Sequence, residues 1–404
     1  GRLLAVGNGA WAGVLSYGAL ADTVAAGYAA VSTNTGHVGN NVDFSVGHPE
    51  KLVDFAYRAV HEMTLAAKAA VEANYTRRAD KAYFSGCSTG GRQALAEAQR
   101  YPNDFDGIIA GAPAYYPTHI QGTQVYTAAV NANSAMPLGQ PEFDVLNDGV
   151  VAMCDAKDGV KDGVIENPRA CGFDPASLVC GSGKTSACLT AGQAEVAKLT
   201  YRGPADKNGR PIFPGVSPGS ERGWRTLSAD KPLSLAFDTY AQLVFNDPHW
   251  DFRTFDAARD IPTGVTRIGK LMDSADPDLS AFIAHGGKLI LYHGWGDPGI
   301  PAEGTVRYYG EVRKALGEKT ADANVRLFMV PGMGHCRGGT GTDTFDAVAA
   351  LDGWVRNAKA PERIEASRVE SGKTVRTRPL CAFPKQATYR GTGSTDETAS
   401  FDCK

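Results

Sequence analysis

Two side chains suited to acyl transfer each stand next to a cysteine. Ser88 directly follows Cys87, and His335 directly precedes Cys336. A serine hydroxyl becomes a nucleophile only when a histidine base lies within hydrogen-bonding reach. If the two cysteines are bonded, that disulfide would keep the nucleophile close to its general base. The sequence therefore predicts a serine-dependent active site assembled from two distant parts of the chain.

The context of the serine supports this role. Residues 86–90 read Gly-Cys-Ser-Thr-Gly and match the nucleophile-elbow pattern G-x-S-x-G. The chain has 47 glycines, so such a match can arise by chance. A predicted strand at 81–84 precedes the motif and a predicted helix at 91–100 follows it, as an elbow requires. The alternative is an ordinary turn between a strand and a helix.

The acid and the base of the predicted triad follow two later strands. Asp297 comes after the apolar segment 288–292, and His335 lies in a glycine-rich loop after 325–330. Serine, aspartate and histidine thus occur in the order typical of α/β-hydrolases. Asp297 could instead cap a turn, since aspartate is common there. His293 is the alternative base, although its position fits a packing or supporting role better.

A serine hydrolase also needs backbone N–H groups that stabilise the developing oxyanion. Thr89, the residue after the nucleophile, is expected to supply one of them. The second should come from an early loop between a strand and a helix, and Gly9 in the turn 7–10 fits that place. The alternative for this glycine-rich turn is a simple tight connection.

A run of acidic residues in the middle of the chain predicts a metal site. Asp155, Asp158 and Asp162 lie close together among glycines, and the carbonyls of Val160 and Val164 could complete a shell of oxygens. Oxygen ligands in an irregular loop favour Ca²⁺ over Mg²⁺. The spacing is not that of an EF-hand, and a solvated acidic turn is the alternative. The distance in sequence from the nucleophile indicates a structural ion.

The eight cysteines suggest a disulfide framework. They allow about 105 complete pairings. Proximity in sequence favours the pairs Cys154–Cys171, Cys180–Cys188 and Cys381–Cys403, which leaves Cys87 with Cys336. The alternative is a cytosolic protein with scattered buried thiols. We expect an oxidising compartment, hence a secreted or periplasmic protein. The chain starts inside a predicted strand without a signal peptide, so we expect a trimmed start.

Composition excludes several classes of partner. The 404 residues are 43% hydrophobic and 21% charged, with a net charge of −3. Acidic and basic residues are mixed along the chain, so no basic patch for nucleic acid is expected. No apolar run approaches the roughly 18 residues that span a bilayer. We therefore expect neither a nucleic acid nor a membrane as partner, and the oligomeric state is left open.

Strands and helices alternate in both outer parts of the chain, which favours a parallel sheet flanked by helices. Strands are predicted over 3–6, 81–84, 108–111, 288–292 and 325–330, and helices over 50–73, 91–100, 302–316 and 344–357. Residues 115–286 break this pattern. The simplest account is one α/β domain made of 1–114 and 287–404 that carries a large insertion at 115–286.

Several motifs together resemble the tannase/feruloyl esterase family, which includes mono(2-hydroxyethyl) terephthalate hydrolase. The matching segments are 8–13, 87–91, 158–168, 246–251, 295–298 and 332–336. The resemblance covers nearly the whole chain. It implies an α/β-hydrolase fold with a lid domain at 115–286, a calcium site in the lid, and a disulfide between the neighbours of the serine and the histidine. It also implies the triad and calcium ligands named above. No cysteine precedes Cys87, so an N-terminal disulfide of some members is missing.

The same resemblance implies an ester of an aromatic acid as substrate, such as a gallate, a ferulate or a terephthalate monoester. Such esters come from plant cell walls or from plastic. The expected lid would supply a slot for the ring, and its aromatic residues are Trp224, Phe237, Tyr240, Phe245 and Trp250. Plain packing within the lid is the alternative for each of them, because buried aromatic side chains mostly pack.

Three other functions stay open at this stage. Cys87 could itself be the nucleophile of a cysteine hydrolase. The protein could be a non-catalytic, calcium-stabilised extracellular binding protein. It could also be an esterase for aliphatic substrates, which a comparison of acetyl with aromatic acyl esters would reveal.

Overall fold

The first part of the chain builds four strands of a central sheet. The computed structural model describes residues 1–181, 187–227 and 231–404. The elements of this part are β1 (Arg2–Val6), α1 (Tyr17–Ala25), β2 (Ala29–Val31), α2 (Pro49–Val53), α3 (Ala59–Tyr75), β3 (Lys81–Cys87), α4 (Thr89–Arg100) and β4 (Gly107–Gly111). A π-helical turn, Asp54–Arg58, joins α2 to α3. The predicted helix at 50–73 is therefore confirmed, with this irregular turn inside it.

Helices then occupy the stretch between β4 and the next strand. They are α5 (Pro117–Ala132), α6 (Gln140–Cys154), α7 (Ala191–Arg202), α8 (Ser234–Asp238), α9 (Ala257–Gly264), α10 (Lys270–Met272) and α11 (Ser280–Ala284). No described residue of this stretch joins the central sheet. This stretch is called the insertion below; its expected bounds, 115–286, and its role as a lid stay predictions. In the described parts of the whole chain, no helix combines the length and the apolar character needed to cross a membrane.

The last part of the chain completes the sheet and adds small antiparallel strands. Its elements are β5 (Lys288–Gly294), α12 (Ala302–Leu316), α13 (Glu318–Asn324), β6 (Val325–Val330), β7 (Thr344–Phe345), α14 (Ala347–Asn357), β8 (Arg363–Glu370), β9 (Lys373–Cys381), β10 (Ala387–Tyr389) and β11 (Phe401–Cys403). The helix expected at 344–357 begins three residues later, because Thr344 and Phe345 pair with β8 instead.

The central sheet has six parallel strands in the order β2-β1-β3-β4-β5-β6. Every residue of β4 is buried. A parallel sheet is covered by helices on both faces, so its inner strands are apolar throughout rather than alternating. The predicted α/β class is confirmed, and the arrangement is consistent with an α/β-hydrolase fold. All of these strands end at the same edge of the sheet, where the candidate site lies.

The insertion shares its hydrophobic core with the sheet domain. One cluster of buried residues joins Leu3 and Phe84 of the sheet to Ile120 and Phe213 of the insertion. A second cluster brings Trp11 and Phe55 from the first part of the chain together with Val125 and Tyr240. The insertion is thus packed onto the sheet domain, and it reaches the edge where the strands end.

Candidate active site

The backbone around Ser88 has the geometry of a nucleophile elbow. Ser88 lies between β3 and α4 with φ 64° and ψ −121°, a left-handed conformation that is strained for a residue with a side chain. The turn is so tight that a Cβ on Gly86 would lie 2.5 Å from the backbone of Gly90. Only glycine fits there, so the G-x-S-x-G pattern at this position reflects a steric need.

The disulfide between Cys87 and Cys336 joins the serine loop to the histidine loop. Its two Cα atoms are 6.0 Å apart, and 249 residues separate them in sequence. The bond therefore holds the backbones next to Ser88 and His335 close together at the sheet edge. It also removes the alternative of a Cys87 nucleophile, because a sulfur in a disulfide bond has no thiolate.

The other three predicted disulfides are also present. The structure bonds Cys154 to Cys171, Cys180 to Cys188 and Cys381 to Cys403, and it contains no free cysteine. Pairing by proximity in sequence was therefore correct. Four disulfides suit an oxidising compartment.

Asp297 and His335 form the hydrogen bond expected of an acid and its histidine. Asp297 follows β5 and His335 follows β6, and Asp297 Oδ2 lies 2.7 Å from His335 Nδ1. Asp297 is completely buried, whereas the His335 side chain is 37% exposed. The exposed ring can thus meet a ligand with its other nitrogen, while the buried carboxylate fixes its orientation.

Electrostatics fit these roles. Burial opposes ionisation of Asp297, but the charge of His335 and hydrogen bonds from His293 and His335 outweigh it and hold the pKa of Asp297 well below its usual range. Desolvation would lower the pKa of His335, and the Asp297 carboxylate more than reverses this, so its pKa lies above the usual value. The pair thus combines a carboxylate that stays ionised with an imidazole of increased basicity.

His293 supports the acid and does not take the place of the base. It is completely buried, and its Nε2 lies 3.1 Å from Asp297 Oδ2. Its Nδ1 contacts Thr305 Oγ1 at 2.7 Å. The other oxygen, Asp297 Oδ1, accepts hydrogen bonds from the N–H groups of Gly299 and Ile300. Every contact of this carboxylate therefore favours its charged form and one orientation.

The loop after β1 packs directly on the elbow. Thr89 Oγ1 donates a hydrogen bond to Ala10 O at 2.9 Å, so the predicted oxyanion residues Gly9 and Thr89 lie on neighbouring backbones. Thr89 is the first residue of α4, and the first N–H groups of a helix have no acceptor within it. The two positions are thus close to each other, and their role as an oxyanion hole stays a prediction.

A buried amide pair that the sequence did not reveal holds this loop. Gln93 on α4 accepts from the N–H of Asn8 through Oε1 (3.0 Å) and donates from Nε2 to Asn8 Oδ1 (3.1 Å). Asn8 also donates to Val14 O and Thr33 O. The loop that contains Gly9 is thus tied to the helix that follows the nucleophile, across 85 residues of sequence.

The insertion also contacts the loop of the acid. Gln124 on α5 donates from Nε2 to Gly299 O at 2.7 Å, and the Gly299 N–H donates to Asp297 Oδ1 at 2.8 Å. No local pattern indicates this contact, since 175 residues separate Gln124 from Gly299. The insertion therefore contributes to positioning the acid.

The predicted calcium ligands lie in one partly buried loop. Asp155 Oδ1 accepts from the N–H groups of Asp162 and Gly163, and Asp158 Oδ1 accepts from the Val160 N–H. Burial raises the pKa of Asp158, and repulsion from Asp162 and Asp155 raises it further. Because a hard cation relieves this repulsion and prefers oxygen ligands, the chemistry of these donors suits Ca²⁺. The three carboxylates do not all lie within 4.8 Å of one another, so they would have to move closer to hold the ion. The proposed ligands are Asp155, Asp158, Asp162 and the carbonyls of Val160 and Val164.

Two arginines of the C-terminal hairpin reach into this loop. Asp162 Oδ2 lies 2.7 Å from the guanidinium of Arg378 and 3.2 Å from that of Arg376, both on β9. Glu166, just beyond the loop, accepts from the Ala387 N–H, and burial raises its pKa to about 8. These contacts anchor the acidic loop to the C-terminal strands, and no sequence pattern had indicated them.

The five aromatic residues predicted for the substrate slot divide into two groups. Trp224 and Tyr240 are completely buried. Trp224 packs on Tyr201, and the Tyr240 hydroxyl donates a hydrogen bond to Thr118 O. These contacts favour the alternative given above for these two residues, which is packing rather than substrate binding. The other three residues are partly buried and pack against one another in one aromatic cluster; they are Phe237, Phe245 and Trp250. A substrate slot stays a prediction for this second group.

Comparison with known proteins gives a consistent result. A family profile described as "Tannase and feruloyl esterase" matches residues 1–404. A probable feruloyl esterase B-2 of Aspergillus terreus is 33% identical over 100% of this chain and 81% of its own length. The crystal structure of feruloyl esterase B from Aspergillus oryzae superimposes with a TM-score of 0.94 at 30% identity, covering 100% of this chain and 84% of that chain. A tannin acyl hydrolase from Aspergillus niger gives 0.88 at 26% identity, covering 100% and 80%. The chain therefore belongs to the tannase and feruloyl esterase family of carboxylic ester hydrolases.

Proposed function

We propose that the protein hydrolyses esters of aromatic carboxylic acids through an acyl-enzyme on Ser88. One observation carries this proposal. His335 is hydrogen-bonded to the buried Asp297 at 2.7 Å, and the Cys87–Cys336 disulfide fixes its loop beside the strained Ser88. A nucleophile, a base and an orienting acid thus come from three strand ends at one edge of the sheet.

The reaction would proceed in two steps of acyl transfer. In the first step, His335 removes the proton of the Ser88 hydroxyl while Ser88 Oγ forms a bond to the ester carbonyl carbon. The bond to the alcohol then breaks, and the alcohol leaves with the proton from His335. In the second step, His335 activates a water molecule, which releases the aromatic acid and regenerates the serine. Asp297 remains ionised and stabilises the imidazolium at each stage.

The oxyanion formed in both steps would be bound by backbone N–H groups of Thr89 and Gly9. The contact from Thr89 to Ala10 and the Gln93–Asn8 pair keep these two segments together before substrate binds. A preorganised donor pair contributes strongly, since removing a single oxyanion donor typically costs about 100- to 1,000-fold in kcat.

The acyl group is proposed to be aromatic, of the feruloyl, galloyl or terephthaloyl type. The names of the relatives support this choice, as they are feruloyl esterases and a tannin acyl hydrolase. The insertion supplies aromatic surface in Phe237, Phe245 and Trp250. We propose that it acts as a lid over a substrate released from plant cell walls or from a plastic. No nucleic acid or membrane takes part in this function.

A structural Ca²⁺ ion and an extracellular or periplasmic location complete the proposal. When bound, the ion would neutralise the acidic loop and order it against the arginines of β9. Four disulfide bonds support a secreted protein, because such bonds persist in oxidising environments.

The direct test is hydrolysis of a panel of esters by the purified protein and by Ser88→Ala. The panel contains methyl ferulate, methyl gallate, a terephthalate monoester and an acetyl ester of similar size. We expect turnover of at least one aromatic ester, preference for it over the acetyl ester, and loss of turnover in the variant. Equal or better turnover of the acetyl ester would instead indicate an aliphatic esterase. No turnover of any ester by the folded protein would favour a binding protein.

A further inference from the structure

A second group of titratable side chains lies at the opposite end of the helix that follows the nucleophile. His61 is on α3, Glu97 is near the end of α4, and Asp104 lies in the turn after it. One nitrogen or oxygen atom of each side chain lies within 4.8 Å of those of the other two. Within the ranges that the structure describes, no other three His, Cys, Asp or Glu side chains meet this condition.

Glu97 is the unusual member of this group. Glu97 is 1% exposed, and no N–H or O–H group of the described residues donates to its carboxylate oxygens. Its hydrogen-bond partner is the neighbouring carboxyl group of Asp104. Burial, together with the nearby charge of Asp104, raises the pKa of Glu97 well above its usual value. Two buried carboxyl groups this close cannot both be ionised without a large cost, so a proton or a cation must neutralise the pair. The question is which of the two the site accepts.

The neighbouring groups are arranged as ligands and supports. His61 Nδ1 lies 2.6 Å from Asp104 Oδ2, and the imidazole stacks on Tyr101 with ring centres 3.8 Å apart. Lys68 Nζ donates to the backbone oxygen of Asp104 at 2.5 Å, and its charge opposes the rise in the pKa of Glu97. The side chain of His61 is 22% exposed, so an ion and a water ligand have a route from solvent.

We infer that His61, Glu97 and Asp104 bind a Zn²⁺ ion, with water as the fourth ligand. One imidazole and two carboxylates are ordinary ligands for this metal. Bonds of about 2.0–2.2 Å place tetrahedral ligand atoms roughly 3.3 Å apart. The contact of 2.6 Å between His61 Nδ1 and Asp104 Oδ2 would therefore open slightly when the ion binds.

The ion would be structural rather than catalytic. Glu97 lies eight residues beyond Thr89 on the same helix, which corresponds to about 12 Å along its axis. At that distance the ion contacts neither the substrate nor the triad. It would cross-link α3 to α4 and neutralise the Glu97–Asp104 pair, and so stabilise the helix that begins at the nucleophile.

The test is a zinc titration of the full chain after chelator treatment, read by competition with a zinc-binding dye and by elemental analysis. The wild type should bind one more Zn²⁺ per chain than Glu97→Gln or His61→Ala. Its melting temperature should rise with zinc, and that of the two variants should not. His249→Ala, which removes an exposed histidine elsewhere, should bind as the wild type does. Asp158→Asn should also keep this ion, because it alters the acidic loop alone.

Equal zinc stoichiometry in the wild type and both variants would overturn the inference and leave a proton as the neutralising group on Glu97. If both variants fail to fold, hydrogen exchange of the wild type decides. Zinc should then slow exchange in peptides from α3 and α4, and unchanged exchange there would refute the site.

Discussion

Removal of the Cys87–Cys336 disulfide should lower activity before the fold is lost. The change is the double substitution Cys87→Ala and Cys336→Ala. The matched control is Cys180→Ala with Cys188→Ala, which removes a disulfide of the insertion that closes a short loop. Comparing the two variants separates the effect on the active site from the general effect of losing a disulfide.

The structure sets the expected effect on stability. The bond closes a loop of 249 residues. Chain entropy then predicts a loss of about 5.5 kcal/mol at 25 °C, against about 2.5 kcal/mol for the control, whose cysteines are 8 residues apart. Urea unfolding measured by circular dichroism checks these values. The activities of the two variants are then compared under conditions in which both are still folded.

The effect on catalysis follows from the 6.0 Å separation of the bonded Cα atoms. Without the bond, the loop of His335 is held by its hydrogen bond to Asp297 and by loop contacts alone. A displacement of about 1 Å costs on the order of 100-fold in rate. We therefore expect kcat/KM for methyl ferulate to fall ten- to a hundredfold, and the control to retain its activity.

One result would refute this reasoning. If the folded Cys87→Ala/Cys336→Ala variant keeps the kcat/KM of the wild type, the disulfide does not position the base. Equal losses in both double variants would likewise assign the effect to general destabilisation.

Three further predictions concern Asp297, the Gln93–Asn8 pair and the acidic loop. Asp297→Asn should reduce kcat about 10⁴-fold. His335 must be neutral to accept a proton, so the activity of the wild type falls as the pH drops through the raised pKa of His335. The variant lacks the Asp297 carboxylate that raises this pKa. In a profile of kcat/KM against pH, its loss of activity on the acidic side should therefore occur at a lower pH. Gln93→Leu leaves the Asn8 N–H without a partner, which costs about 1–3 kcal/mol, and should lower kcat ten- to a hundredfold with little change in KM. Chelation of Ca²⁺ should lower the melting temperature of the wild type. Asp158→Asn should already have a low melting temperature in the presence of calcium, and the chelator should change it little.

The parts of the site that depend on local patterns could be predicted from the sequence. Ser88, Asp297 and His335 each follow an apolar strand, and parallel strands end at one edge of a sheet. Their placement at one edge of the sheet therefore followed from the strand pattern and the order along the chain. Disulfide pairing by proximity was also correct, because three of the four pairs close short loops. The fourth pair, Cys87–Cys336, followed by elimination.

Contacts between distant residues could not be predicted in this way. The Gln93–Asn8 pair and the Gln124–Gly299 contact depend on packing between elements whose relative placement no single segment encodes. The arginines that bind Asp162 lie on the hairpin β8–β9, which was not predicted. A two-residue turn with Ser371 at φ 50° and Gly372 at φ 77° joins its strands. Such a turn is a recognisable hairpin signal, and it could have been found.

The central claim is that Ser88 forms the acyl-enzyme with an aromatic acid. Its most direct test is mass spectrometry of the protein quenched with acid during turnover of methyl ferulate. We predict one feruloyl group per chain on the peptide that contains Ser88, and none in Ser88→Ala, which should not turn over the ester. An acyl group on another residue, or undiminished turnover in Ser88→Ala, would contradict the account.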